Sequence, residues 1–184
     1  MRIYDQIIGG CWIAFFAVWV ALSIAGVRGR RQYSPGRSAL RLLLVIAFVL
    51  SLRYGDRVPA TVFGHLTAEV AAVGSALCVV GVAFAIWARV TLGRNWGMPM
   101  TLHDAPELVT SGPYAYVRHP IYTGVLAMLI GTAIVYPLAA VPSLIVLPYF
   151  LFSARREEHD MERRFPDAYP EYRKRSKMLV PFVL

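Results

Sequence analysis

The sequence predicts an all-α integral membrane protein. Five transmembrane helices are expected, the last two forming a short helical hairpin that leads into a cytoplasmic tail helix. Three observations carry this expectation. The 184 residues are 57% hydrophobic and only 16% charged, where a soluble domain carries about 25% charged residues. Mean hydropathy is +0.52. Long uncharged stretches recur along the chain, separated by basic, glycine-rich or proline-rich breaks. Two regions follow: an N-terminal three-helix membrane region, residues 1–92, and a catalytic region, residues 93–184, with a binding motif, the hairpin and the tail.

Composition also narrows the partners. The net charge is +8, but no module interleaves aromatic and basic residues as a nucleic-acid binder would. In a membrane protein, basic loops set orientation instead. The expected partners are therefore membrane lipids and a lipophilic small molecule, with no nucleic acid. Cys11 and Cys78 both lie in apolar segments and are expected as free buried thiols. With two cysteines and four scattered histidines, no metal site is expected. The N-terminal apolar run is too long for a cleavable signal.

The first segment, residues 7–27, holds roughly 20 residues without a charge, enough to cross a bilayer. The loop of residues 28–37 carries Arg28, Arg30, Arg31 and Arg37 and no acid. By the positive-inside rule it is cytoplasmic, which puts the N-terminus outside. A second segment spans residues 38–54, with Arg41 and Arg53 near its ends, and residues 55–67 form an outer loop. The third segment, residues 68–92, brings Gly74 and Gly81 together with Ala71, Ser75, Ala76 and Ala85. Such small residues let helices approach closely, so it is expected to be a packing helix. Arg89 near its inner end is expected to snorkel to the surface, with contact to a substrate as the alternative. Residues 93–111 are mixed in character, with Asn95, Trp96, His103, Asp104 and Glu107, and suit either a flap over a site or a surface loop.

Segments four and five, residues 121–136 and 138–153, are each about 16 residues, short of the ~20 of a full crossing. Pro137 and Pro142 mark the turn between them, and Pro148 can kink the second. A tight hairpin results. From Ala154 the chain turns charged and continues as a helix into the cytoplasm until Pro166. Five crossings place this tail inside, in agreement with the basic loop.

The chemistry concentrates at residues 112–124, Gly-Pro-Tyr-Ala-Tyr-Val-Arg-His-Pro-Ile-Tyr-Thr-Gly. Gly112 and Pro113 set a turn. Pro120 suits the first turn of a helix, with His119 at its N-cap. Arg118 adds a positive charge where the helix start is already positive. That is unfavourable for the helix alone and implies an anion nearby. The hairpin sets Tyr114, Tyr116, Arg118, His119 and Tyr122 on one surface with Glu157 and Glu158. Such a set can bind a zwitterion: the carboxylates take an ammonium or hydroxyls, and Arg118 with the helix start takes a carboxylate. The competing account is an interfacial Tyr/Arg anchor beside a solvated helix face.

Arg118-His119-Pro120-Ile121-Tyr122-Thr123-Gly124, followed across a hairpin by Glu157-Glu158, resembles the signature of the isoprenylcysteine carboxyl methyltransferase family, with the phospholipid methyltransferases as relatives. The likeness extends over Leu92-Gly93-Arg94, residues 108–114 and the tail at 165–172, about residues 90–181. Pro166 stands where the family often has glycine. The resemblance implies S-adenosylmethionine as methyl donor, leaving as S-adenosylhomocysteine. It implies that Tyr116, His119, Pro120, Tyr122 and Gly124 line the donor pocket, with Glu157 or Glu158 completing it, and the expected cofactor-binding set is Tyr114, Tyr116, Val117, His119, Pro120, Tyr122, Gly124 and Glu157. It leaves Glu158, Arg156 and Arg118 as candidates for the chemistry, and implies a lipophilic acceptor entering from the bilayer. In a bacterial host the setting would be the inner membrane, with the site on the cytoplasmic side.

The chemistry needs no metal, because an in-line displacement at a sulfonium methyl requires alignment and the exclusion of water. A carboxylate acceptor, with an ordinary pKa of about 4, is already ionised and needs an arginine to hold it. Arg156, Arg163, Arg164 and Arg173 are the candidates. An amine or thiol acceptor would need a base, Glu158 or His119. Two rival readings are an NADPH-dependent reductase of the sterol-reductase type and a non-catalytic membrane scaffold.

Overall fold

The computed structural model describes residues 2–26, 46, 49–50, 66–95 and 107–180. Among them every regular element is helical: α1 (Arg2–Gly26), α2 (Ala68–Leu92), α3 (Pro120–Val135), α4 (Ala140–Arg164) and α5 (Ala168–Arg175). Short 3-10 turns occupy Gly93–Asn95, Gly112–Ala115 and Pro137–Ala139. The stretches Ile3–Leu22, Ala68–Leu92 and Pro137–Arg164 are long and apolar enough to cross a membrane, and Pro120–Val135 is a shorter apolar helix. The described residues thus hold three spans of the five expected. The basic loop at 28–37, most of the second segment and residues 96–106 of the expected flap lie outside the described residues.

The third segment has the predicted bounds. Thr67 caps α2, its hydroxyl accepting from the Val70 amide at 3.4 Å, and Gly93 ends it with φ +52°, a conformation that favours glycine. The helix is also the packing helix its small residues foretold. Gly74 and Gly81 on α2 meet Gly131 and Gly124 on α3, the glycines of each helix standing seven positions apart. A Cβ on Gly124 would stand 2.6 Å from the Gly81 carbonyl oxygen, and one on Gly81 would stand 2.7 Å from that of Gly124. The two backbones touch, which only glycine permits there.

The core sits where α1 crosses this pair. Ile8, Cys11 and Phe15 of α1 bury against Cys78, Val82 and Ala85 of α2 and Met128 and Val135 of α3. Burial of these apolar side chains is the main packing term. Polar ties fix the register: the Trp12 indole donates to Thr132 Oγ1 at 3.1 Å, and Tyr136 donates to Asp5 Oδ1 at 2.5 Å. Both cysteines are buried free thiols, as expected. Arg89 departs from its expectation. It is 3% exposed and donates through Nη1 to the Gly93 carbonyl at 3.1 Å. The last carbonyls of a helix lack intrahelical donors, so the guanidinium folds onto them rather than reaching for the surface.

The hairpin forms, but its second arm is longer than predicted: Pro137–Arg164 is long and apolar enough to cross a membrane, where the expected segment, residues 138–153, falls short. The Pro137–Ala139 turn reverses the chain, and α4 runs unbroken through Pro148 to Arg164. This carries Glu157 and Glu158 back to the level of Pro120. Beyond Pro166, α5 buries Tyr169 and Tyr172, and residues 176–179 return across the start of α3.

Candidate active site

Gly112 adopts φ +58°, and Pro113 follows in the first position of a tight turn that closes onto its own carbonyl. The chain then passes through a bridge at Val117 and a bend at Arg118. Val117 is buried and forms a parallel backbone bridge with Lys177. The Arg118 amide donates to the Lys177 carbonyl at 2.7 Å, and the His119 amide to that of Met178 at 3.1 Å. His119 is the N-cap of α3 and Pro120 its first residue. The imidazole makes no capping bond, which leaves it for the glutamates of α4.

Arg118 is the hub. Its side chain is 7% exposed and that of Glu158 is 5%. Nε donates to Glu158 Oε1 at 2.6 Å, while Nη1 donates to the carbonyls of Ser176 and Arg173. The anion implied by a positive charge at a helix start is thus the chain's own Glu158. Two of the expected chemical residues satisfy each other. The third, Arg156, is exposed and takes part in none of these contacts.

His119 lies between the two carboxylates. Nδ1 is 3.5 Å from Glu157 Oε2 and Nε2 is 3.5 Å from Glu158 Oε1. Nε2 is buried and makes no hydrogen bond, so the second contact is one of charge attraction alone. Burial favours the neutral ring, yet the paired carboxylates outweigh it and hold the His119 pKa above its ordinary value. Tyr122 donates to Glu157 Oε1 at 2.5 Å. Its ring stacks on His119 at 5.5 Å and on Phe150 at 4.6 Å. The two glutamates therefore differ. Glu158 is interior, whereas the Glu157 side chain is 40% exposed.

The remaining expected residues sit around this centre. Tyr116 is 55% exposed and its carbonyl accepts from the Lys177 amide. Tyr114 is buried, with its carbonyl accepting from Tyr172 Oη at 2.7 Å; burial pushes the Tyr114 hydroxyl's pKa up and that of Tyr172 up to about 12. Pro120 is fully buried. Gly124 faces α2 rather than the carboxylates, so close helix packing accounts for its missing side chain. Sequence reasoning missed Phe150 and the return of residues 176–179, and gave Thr123 no role beyond its place in the motif. Phe150 stands seven residues before Glu157, two turns along the same helix face, and that spacing was the available signal. The tail contributes backbone carbonyls, which leave no mark on residue type.

A helical membrane protein whose hairpin joins an Arg-His-Pro entrance to two glutamates has the build of an intramembrane methyltransferase. A family model described as phospholipid methyltransferase matches residues 70–168. The chain is 31% identical over 170 residues to a probable protein-S-isoprenylcysteine O-methyltransferase of Oryza sativa subsp. indica, covering 86% of each chain. It is 30% identical over 115 residues to protein-S-isoprenylcysteine O-methyltransferase B of Arabidopsis thaliana, covering 60% of this chain and 58% of that one. Its fold is similar to a solved structure of the eukaryotic intramembrane Ras methyltransferase ICMT, with a TM-score of 0.63 at 21% identity over 98% of this chain and 68% of that one. The chain belongs to the superfamily of membrane methyltransferases that holds the phospholipid and isoprenylcysteine carboxyl methyltransferases. It is an integral membrane methyltransferase. The reductase and scaffold readings find no support in these relationships.

Proposed function

We propose that the protein transfers a methyl group from S-adenosylmethionine to a lipophilic acceptor at the inner face of the membrane. The observation that carries this is the junction of Arg118, His119 and Tyr122 with Glu157 and Glu158 across the hairpin. The residues fit an adenosylated amino acid. Glu157 is a reachable carboxylate for an ammonium or ribose hydroxyls. The exposed Tyr116 and the His119–Tyr122–Phe150 stack supply flat surfaces for a ring. When bound, this donor supplies an electrophilic methyl on a sulfonium.

The chain's own residues hold and orient. Glu158 neutralises Arg118 and so fixes the start of α3. Tyr122 aims the Glu157 carboxylate. Pro120 and Gly124 let α3 begin and pack where the cluster needs it. On this reading Glu157 contacts the donor, while Glu158 and Arg118 position the residues that do. Residues 93–184 form the catalytic region, resting on residues 1–92. The arginine-rich loop at 28–37 puts the N-terminus outside and this site on the cytoplasmic side, which in a bacterial host is the inner face of the inner membrane.

The acceptor is a lipophilic carboxylate, thiol or amine, and the relatives' names make an S-prenylated cysteine the first compound to try. Purified protein given labelled S-adenosylmethionine should transfer label to at least one member of a panel of lipophilic acids, thiols and amines. Transfer to none, by protein that retains its fold, would count against the reading.

A further inference from the structure

Residues 172–179 wrap the entrance of the site. Tyr172 donates to the Tyr114 carbonyl at 2.7 Å on one side of Arg118 and His119. On the other side Thr123 donates to the Leu179 carbonyl at 2.5 Å and lies 3.2 Å from that of His119. Between these ties, the carbonyls of Lys177 and Met178 take the amides of Arg118 and His119, and that of Ser176 takes the Arg118 guanidinium. Tyr172, Ser176 and Leu179 are all buried. Three of these bonds end on Arg118 and His119, the two residues that face the glutamates, and the Tyr172 and Thr123 bonds fasten the chain on either side of them.

We propose that this tail is a strap belonging to the methyltransferase site, and that Thr123 and Tyr172 are positioning residues that hold Arg118 and His119 against Glu157 and Glu158. Neither touches the carboxylates in the bonds just described; they act through the backbone they fasten. The proposal rests on the assignment of this cluster to the methyl donor, but its geometry stands in the protein alone.

His119 reports the strap directly. Its ring faces Glu157 and Glu158 from α4 and the Tyr122 ring from α3, with Arg118 beside it and the Met178 carbonyl on its own amide. If the strap loosens, the ring leaves the carboxylates and its titration falls toward that of an exposed histidine. The experiment uses full-length, detergent-purified protein with labelled histidine rings, the His119 signal being assigned by its loss in His119→Gln. The titration should move down in Thr123→Val and in Tyr172→Phe, and return in Thr123→Ser, which restores the hydroxyl. Binding of S-adenosylhomocysteine should weaken about tenfold in Thr123→Val, the effect of one lost buried hydrogen bond, and recover in Thr123→Ser.

Lys174→Ala, which removes only an exposed pair with Glu171, should leave both readouts unchanged. A His119 titration that both Thr123→Val and Tyr172→Phe leave unchanged overturns the strap. Should Thr123→Val not fold, Tyr172→Phe, which deletes one oxygen, decides alone. Absence of binding by the wild type, with the titration still responding, removes the donor assignment and leaves the strap standing.

Discussion

Arg118 shows how one buried residue organises its surroundings. An arginine at a helix start is repelled by the local dipole, and burying it is costlier still unless a carboxylate meets it. Glu158 does so at 2.6 Å. Removing one partner strands the other, so Arg118→Ala should destabilise the protein by about 3–5 kcal/mol, as breaking a buried pair does. Unfolding in detergent checks this, and the double variant with Glu158→Gln should recover some of the loss. His119 adds a pH dependence. Its folded pKa stands above the ordinary 6.5 because Glu157 and Glu158 overcome burial. The folded state therefore holds this proton more tightly than the unfolded chain. Its stabilising contribution is whole below pH 6.5 and is lost as the pH rises through the higher folded value. Melting temperature should fall across that window, and His119→Gln should remove that step from the profile.

At the scale of elements, the bounds of α2 and the hairpin were legible because they rest on local signals. An apolar run between Thr67 and Gly93 has only one low-energy outcome in a membrane, and Pro137 forces the reversal. Gly74 and Gly81 announced a close crossing without naming the partner; that Gly124 and Gly131 share their spacing is visible once α3 is known to lie alongside. The tail was not legible. Its role rests on the carbonyls of residues 173, 176, 177, 178 and 179, which every residue type offers alike. The pairing of Arg118 with Glu158 was half legible, since residue types placed a cation near two acids but could not say that they neutralise each other. The crossing gives a sharp contrast. Gly124→Leu must push apart a pair of touching backbones and should cost more than the ~1–3 kcal/mol of ordinary overpacking, with donor binding lost as α3 shifts. At Gly10 an added Cβ meets nothing within 4 Å, so Gly10→Ala should leave the melting temperature level or raise it through better helix propensity. Thermal melts in one detergent compare these variants.

For the whole molecule, α1 and α2 form a membrane-embedded support that holds α3 in place, and the hairpin brings α4 back to it. The contrast along α4 captures this division: exposed apolar residues such as Leu144 and Phe152 precede Glu157 and Glu158. One helix thus carries an exposed apolar stretch and then the two glutamates. The cluster at the mouth of this hairpin is the proposed methyl-donor site, and calorimetric titration of S-adenosylhomocysteine into detergent-purified protein tests that most directly. Saturable binding by the wild type, strongly weakened in Glu157→Gln although that variant melts like the wild type, is the result expected. No binding by the folded wild type, or equal binding by Glu157→Gln and His119→Ala, would contradict it.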